Sequence, residues 1–143
     1  MQIKIKKLSP KAASPEYAHG PEEDAGLDVR SIEPAVLLPN VPLAVSTGLS
    51  FEIPPGYEMQ LRPRSGLALK HGITLANSPA TIDPGYRGEL KVIMINLGKV
   101  PYEIKEGDRI AQMVVSKYEA ITWDETDLAT SNRGEGGFGS SGR

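Results

Sequence analysis

At 143 residues with a formal net charge of −2, the chain is long enough for one domain with a real core and too short for two. Its 15 glycines and 12 prolines are spread along the whole length, implying many turns and short elements and favouring an all-β sandwich or barrel over a helical bundle. The charge argues against a general nucleic-acid or membrane binder, and the absence of cysteine excludes disulfides, thiol catalysis and thiolate metal sites.

The N-terminus alternates Ile3 and Ile5 with lysines over Gln2–Lys6, which is a strand pattern. It has no apolar run, so no signal peptide is expected, and no segment approaches membrane-spanning length. A soluble cytoplasmic protein follows as the default. The acidic run Glu22-Glu23-Asp24 lacks the spacing of a metal-binding loop and reads as a solvated one. His19 and His71 are too far apart in sequence for metal-ligand spacing and read as surface residues. Ala25-Gly26-Leu27-Asp28-Val29 has the form of a glycine-led entry to a strand, common enough to say little alone.

Strands are expected around Leu49–Ile53 and Tyr57–Leu61, divided by the turn signal Pro54-Pro55-Gly56. One short helix is predicted from Ser65 to Lys70, opened by a serine cap and closed by His71-Gly72. Pro63-Arg64-Ser65-Gly66-Leu67-Ala68 places a guanidinium and a hydroxyl at its start, with a small glycine beside them. That is either an anion site or an ordinary helix entry with a surface arginine.

Asp83-Pro84-Gly85-Tyr86 has the residues of a type II turn and reads as the tip of a hairpin joining Ile73–Ile82 to Glu89–Leu97. Asp83 either only initiates that turn or presents a carboxylate on a rigid tip, as a general base for water would require. Tyr86 beside it offers a flat wall against a ring. The next strand spans Lys91–Leu97, and the last runs from Arg109 to Tyr118 behind Glu106-Gly107-Asp108. Gln112 lies within it, at a position where a glutamine usually faces solvent.

Residues 1–125 thus read as one β domain of about ten to twelve short strands, and residues 126–143 as a flexible C-terminal arm. In the arm, Gly134, Gly136 and Gly139 match the G-x-G-x-x-G dinucleotide fingerprint, but only four residues follow Gly139, so the helix that fingerprint needs has no room. Composition alone makes the arm a solvated glycine-serine tail. Its one ring, Phe138, with Ser140, Ser141, Arg133 and Arg143, also equips it to fold over a flat anionic ligand.

Taken together, AGLD (25–28), PRSGLA (63–68), TIDPGYRGEL (81–90), GDRIAQMV (107–114) and RGEGGFGSSG (133–142) occur in the order and spacing of five motifs. In this the chain resembles the trimeric deoxyuridine triphosphatases, and the resemblance spans nearly its whole length. The third and fifth motifs carry the specificity. The resemblance implies a distorted jelly roll, or β-clip, of short strands with one short helix, assembled as a homotrimer with active sites shared between subunits. It implies hydrolysis of dUTP to dUMP and pyrophosphate with Mg²⁺ as cofactor, which keeps uracil out of DNA and supplies dUMP for dTMP synthesis. No nucleic-acid or membrane partner is implied.

By the same resemblance, Asp83 would activate the attacking water, Gln112 would steady the α-phosphate, and Asp28 would act on the metal through water. Arg64, Ser65 and Gly66 would hold phosphates. Asn77, Thr81, Ile82 and Asp83 would read uracil, Tyr86 would select deoxyribose, and Lys91 would contact substrate. From the arm, Phe138 would stack on the base while Arg133, Gly139, Ser140 and Ser141 reach the phosphates. Two positions depart from the family pattern. Ala80 stands where glycine is usual, so the base-reading segment is expected to tolerate a methyl or to lose some activity. Ser141 replaces threonine and keeps the hydroxyl. Dinucleotide binding is excluded by context, and a dCTP deaminase of the same fold lacks this pairing of hairpin and glycine-rich tail.

Overall fold

The structure is a computed structural model that describes residues 1–142; Arg143 lies outside them. Among the described residues, eleven strands and one helix follow in chain order: β1 (Lys4–Lys7), β2 (Leu27–Arg30), β3 (Ala35–Leu37), β4 (Leu43–Ser46), β5 (Leu49–Glu52) and β6 (Tyr57–Arg62). After them come α1 (Ser65–His71), β7 (Ile73–Leu75), β8 (Ala80–Ile82), β9 (Lys91–Asn96), β10 (Tyr102–Ile104) and β11 (Arg109–Lys117). Among the described residues no helix is long and apolar enough to cross a membrane.

Alternation drives the strands. In β9, Val92, Met94 and Asn96 turn inward while Lys91 and Ile93 turn outward. The strands form a four-stranded sheet in the order β2-β11-β6-β8, a three-stranded sheet β4-β9-β7, and the pairs β1-β5 and β10-β3, all antiparallel. Their inner faces enclose one core around Val29, Leu37, Leu49, Met59, Leu61, Val92, Met94 and Ile110. This is the all-β jelly roll expected, with its single short helix.

Local turn chemistry shapes the connections where the sequence signals are strongest. Pro54 accepts the Tyr57 N–H at 3.2 Å with Gly56 at φ 84°, and Lys105 accepts the Asp108 N–H at 3.1 Å with Gly107 at φ 86°. The helix differs from expectation at its start. Arg64, extended at φ −90° and ψ 130°, holds the cap position, Ser65 is the first helical residue, and no side chain caps the end. At the other end Gly72 is left-handed at φ 68° and returns its N–H to Ala68, as expected. No residue of α1 is fully buried; the helix rests on half-buried Leu67, which packs against the core, and on its neighbour β7.

The segment around Asp83 is not a simple hairpin. β7 does pair with β9, but β8 between them crosses to the other sheet, where Ala80 lies opposite Leu61 and Ile82 opposite Met59. A β-turn over 83–86 is present, with Tyr86 N–H donating to the Asp83 carbonyl at 3.1 Å. Gly85 lacks the positive φ of a type II turn. Ala80 is buried in β8 without positive φ, so the backbone there asks for no glycine.

Candidate active site

Register assembles the first cluster. Across the four-stranded sheet, Gln112 of β11 sits opposite Asp28 of β2 and opposite Arg62 of β6, so a motif near the N-terminus meets one near the C-terminus. Between Arg109 and Ala111 the register slips at a bulge. The extra residue buries both Ile110 and Ala111 and turns Arg109 to the same side as Gln112. Two residues after β6 ends, Arg64 arrives beside them.

The contacts are ionic. Arg64 Nε lies 3.2 Å from Asp28 Oδ1, and Arg109 Nη1 lies 3.1 Å from Asp28 Oδ2. Arg64 Nη1 also donates to the Arg109 carbonyl at 3.2 Å, and Gln112 Nε2 donates to the Pro63 carbonyl at 3.0 Å. Asp28 is mostly buried, with 17% of its side chain exposed, so the pairing offsets a desolvation cost that a lone carboxylate there would carry. These groups line a cleft of about 340 Å³ with Ser65, Gly66, His19 and Asp24. Asp24 accepts two bonds from one residue, the His19 backbone N–H at 2.6 Å and His19 Nδ1 at 3.2 Å. The backbone N–H first, then the imidazole, holds the Asp24 carboxyl below its ordinary value.

The second cluster is a larger cleft of about 660 Å³, within the range of small-ligand pockets. Asn77, Thr81, Ile82, Asp83, Tyr86 and Lys91 all line it, with Glu89 and Ile93. Its loop is tied down from several sides. Ser50 Oγ donates to the Arg87 carbonyl at 2.7 Å, Thr47 Oγ1 to the Leu90 carbonyl at 2.6 Å, and Leu90 N–H to the Leu49 carbonyl at 2.7 Å. Tyr86 is fixed by its hydroxyl, which donates to the Glu89 carbonyl at 2.8 Å while its ring lies over Gly88. A β-carbon at Gly88 would stand 2.5 Å from that hydroxyl.

The sequence-predicted residues therefore gather in two clefts that share no lining residue, Asp28, Arg64, Ser65, Gly66 and Gln112 in one and the Asp83 group in the other. Neither receives the arm. Arg133, Phe138, Gly139, Ser140 and Ser141 lie in successive tight turns whose hydrogen bonds, among the described residues, stay within the arm, and Phe138 is fully exposed. Three residues of the first cleft were missed as candidates. The bulge that aims Arg109 has no sequence signature, and only folding brings the His19 and Asp24 loop beside Arg64, Ser65, Gly66 and Gln112. Among the described residues no group of three or more histidines, cysteines, aspartates or glutamates could hold a metal. With both Asp28 oxygens on guanidinium groups, this donor set fits an ion that takes its ligands from phosphate oxygens and water.

The sequence profile of the dUTPase family matches residues 13–142, all five motifs included. The chain belongs to the dUTPase family. It is 62% identical over 143 residues to the deoxyuridine 5′-triphosphate nucleotidohydrolase of Solibacter usitatus, covering all of this chain and 97% of that one. To the enzyme of the same name from Clostridium kluyveri it is 51% identical, covering 99% of each. Among solved dUTPases, a variant from Staphylococcus bacteriophage 80alpha with bound dUpNHpp superimposes with a TM-score of 0.87 at 30% identity over 99% of both chains. A mutant of the dUTPase of phage phi11 of S. aureus, described with a coordinated structural Mg(II) ion, gives 0.83 at 26% identity, covering 92% of this chain and all of that one.

Proposed function

We propose that this chain hydrolyses dUTP to dUMP and pyrophosphate at a site completed between copies of itself in a homotrimer. Water attacks the α-phosphorus in line, forming the new P–O bond as the bond to the β-phosphate oxygen breaks and pyrophosphate leaves. Asp83 accepts the proton of that water. The observation that carries the reading is the sorting of predicted residues into two clefts, one lined with Asn77, Thr81, Ile82, Tyr86, Lys91 and Asp83, the other with the guanidinium of Arg64 and the amide of Gln112. Nucleotide chemistry divides in the same way: a flat polar ring at one end, a chain of anions at the other.

In the larger cleft Asn77, Thr81 and Ile82 meet uracil, whose N3–H donor lies between two carbonyl acceptors. Cytosine reverses that pattern at N3 and C4 and would leave groups unpaired, a mismatch that discriminates strongly. Tyr86, anchored on Glu89, stands where a 2′-hydroxyl would collide, and Lys91 contacts substrate from β9. In the smaller cleft Arg64, Ser65 and Gly66 take the phosphate chain and Gln112 the α-phosphate. Phosphoryl transfer asks mainly for such positioning and charge neutralisation. Mg²⁺ on the phosphates, with Asp28 acting through its water, would neutralise the triphosphate's charge. Arm residues 126–143 close the site, with Phe138 on the base and Arg133, Gly139, Ser140 and Ser141 at the phosphates, excluding bulk water. The reaction removes a uracil nucleotide from the DNA precursors and supplies dUMP for dTMP synthesis, in the cytoplasm.

A substrate panel tests the reading. Given Mg²⁺ and dUTP, dCTP, dTTP or UTP in turn, the protein should release pyrophosphate from dUTP alone. Ammonia from dCTP, or no pyrophosphate from dUTP, would overturn it.

A further inference from the structure

We infer that His19 is a further substrate-binding residue, its imidazole meeting the outer phosphates of the nucleotide from the rim of the smaller cleft. The inference rests on reading that cleft as the phosphate half of the site. His19 lines it together with Arg64, Arg109 and Gln112. The charged groups sharing the cleft with His19 are Asp24 on its own loop, Asp28 from β2, Arg64 ahead of α1 and Arg109 from β11. Two guanidinium groups face two carboxylates there, so without the histidine the cleft is formally neutral. A triphosphate chain calls for more positive charge than that.

Asp24 places the ring. One carboxylate oxygen takes the His19 backbone N–H at 2.6 Å and the other takes Nδ1 at 3.2 Å, so both the loop and the ring orientation are held from a single point. With Nδ1–H given to Asp24, Nε2 is the polar atom left over. That nitrogen is turned to the cleft rim, free to meet a phosphate oxygen. The His19 side chain is 70% exposed, so a phosphate reaches it without displacing protein. Gln112 lies deeper and serves the α-phosphate, which leaves the rim to the outer phosphates.

Binding of the α,β-imido analogue of dUTP and of dUMP, measured by titration calorimetry beside steady-state kinetics, tests this on wild type, His19→Ala and His19→Gln. His19→Ala should weaken the analogue and raise KM about tenfold, with kcat within about twofold and dUMP affinity unchanged. His19→Gln, which keeps a donor near Nε2, should recover most of that loss. An unchanged analogue affinity in His19→Ala would overturn the inference alone, as would an equal loss for dUMP, which would mean the loop merely supports the cleft. Wild-type protein that does not hydrolyse dUTP would remove the proposed function and this inference with it.

Discussion

Gly88→Ala tests whether Tyr86 guards the sugar. Its new β-carbon would lie 2.5 Å from the Tyr86 hydroxyl, 2.6 Å from Cζ and 2.9 Å from Cε2. Carbon contacts settle near 3.5–4.0 Å, so the ring must retreat by about 1 Å. Tyr86 is 46% exposed and can swing outward, which breaks its 2.8 Å bond to the Glu89 carbonyl. That bond is worth about 1 kcal/mol net, and lost ring packing brings the total to about 1–2 kcal/mol. The variant should therefore fold, melting about 3–8 °C lower. The functional effect should be larger, because the displaced wall no longer meets a 2′-hydroxyl. kcat/KM for UTP relative to dUTP should rise at least about tenfold. A variant that melts lower yet keeps wild-type discrimination would show that Tyr86 does not select the sugar.

Gly26→Ala sets a β-carbon onto Gln112 Oε1, displacing the amide from Pro63, so kcat measured by pyrophosphate release should fall about 10–100-fold with the fold retained. Normal turnover would remove Gln112 from the mechanism. Asn96→Ala acts on stability instead. The buried amide donates to the Leu37 and Val100 carbonyls at 2.9 and 2.8 Å and accepts the Gly98 N–H at 2.8 Å. Stranding those groups should cost about 3–5 kcal/mol in denaturant titration; a loss under about 1 kcal/mol would contradict this account of β9. Deleting residues 133–143 should leave the melting temperature within about 2 °C, since the arm bonds only to itself among the described residues, while kcat drops at least about tenfold. Full activity without the arm would refute its closing role.

The turns at Pro54-Pro55-Gly56 and Glu106-Gly107-Asp108 were legible because the residue that takes positive φ is itself the signal. The strands β6 and β9 were legible through alternation on a half-buried surface, and β11 through the β-branched and apolar bulk of Ile110, Met113, Val114 and Val115. The partner of β8 was not, because Ala80-Thr81-Ile82 alternates identically whichever sheet receives it, and its pairing with β6 is a long-range choice. Ser65 carried the chemistry of a cap, yet Arg64 occupies that place, extended and with no side-chain cap bond. The candidate site was legible as motifs and illegible as geometry. Nothing in the spacing of Asp28, Arg64 and Gln112 says that they meet in one cleft while Asp83 lines another.

That division makes subunit complementation the most direct test. Asp83→Asn damages only the larger cleft and Arg64→Ala only the smaller, so each variant alone should be nearly inactive while still assembling. If sites join the Asp83 half of one copy to the Arg64 half of another, co-expressing the two in equal amounts should give about a quarter of the sites both halves intact. Pyrophosphate release from dUTP should recover to about that fraction of wild type. Activity no greater than the sum of the two variants measured alone would contradict a site shared between copies.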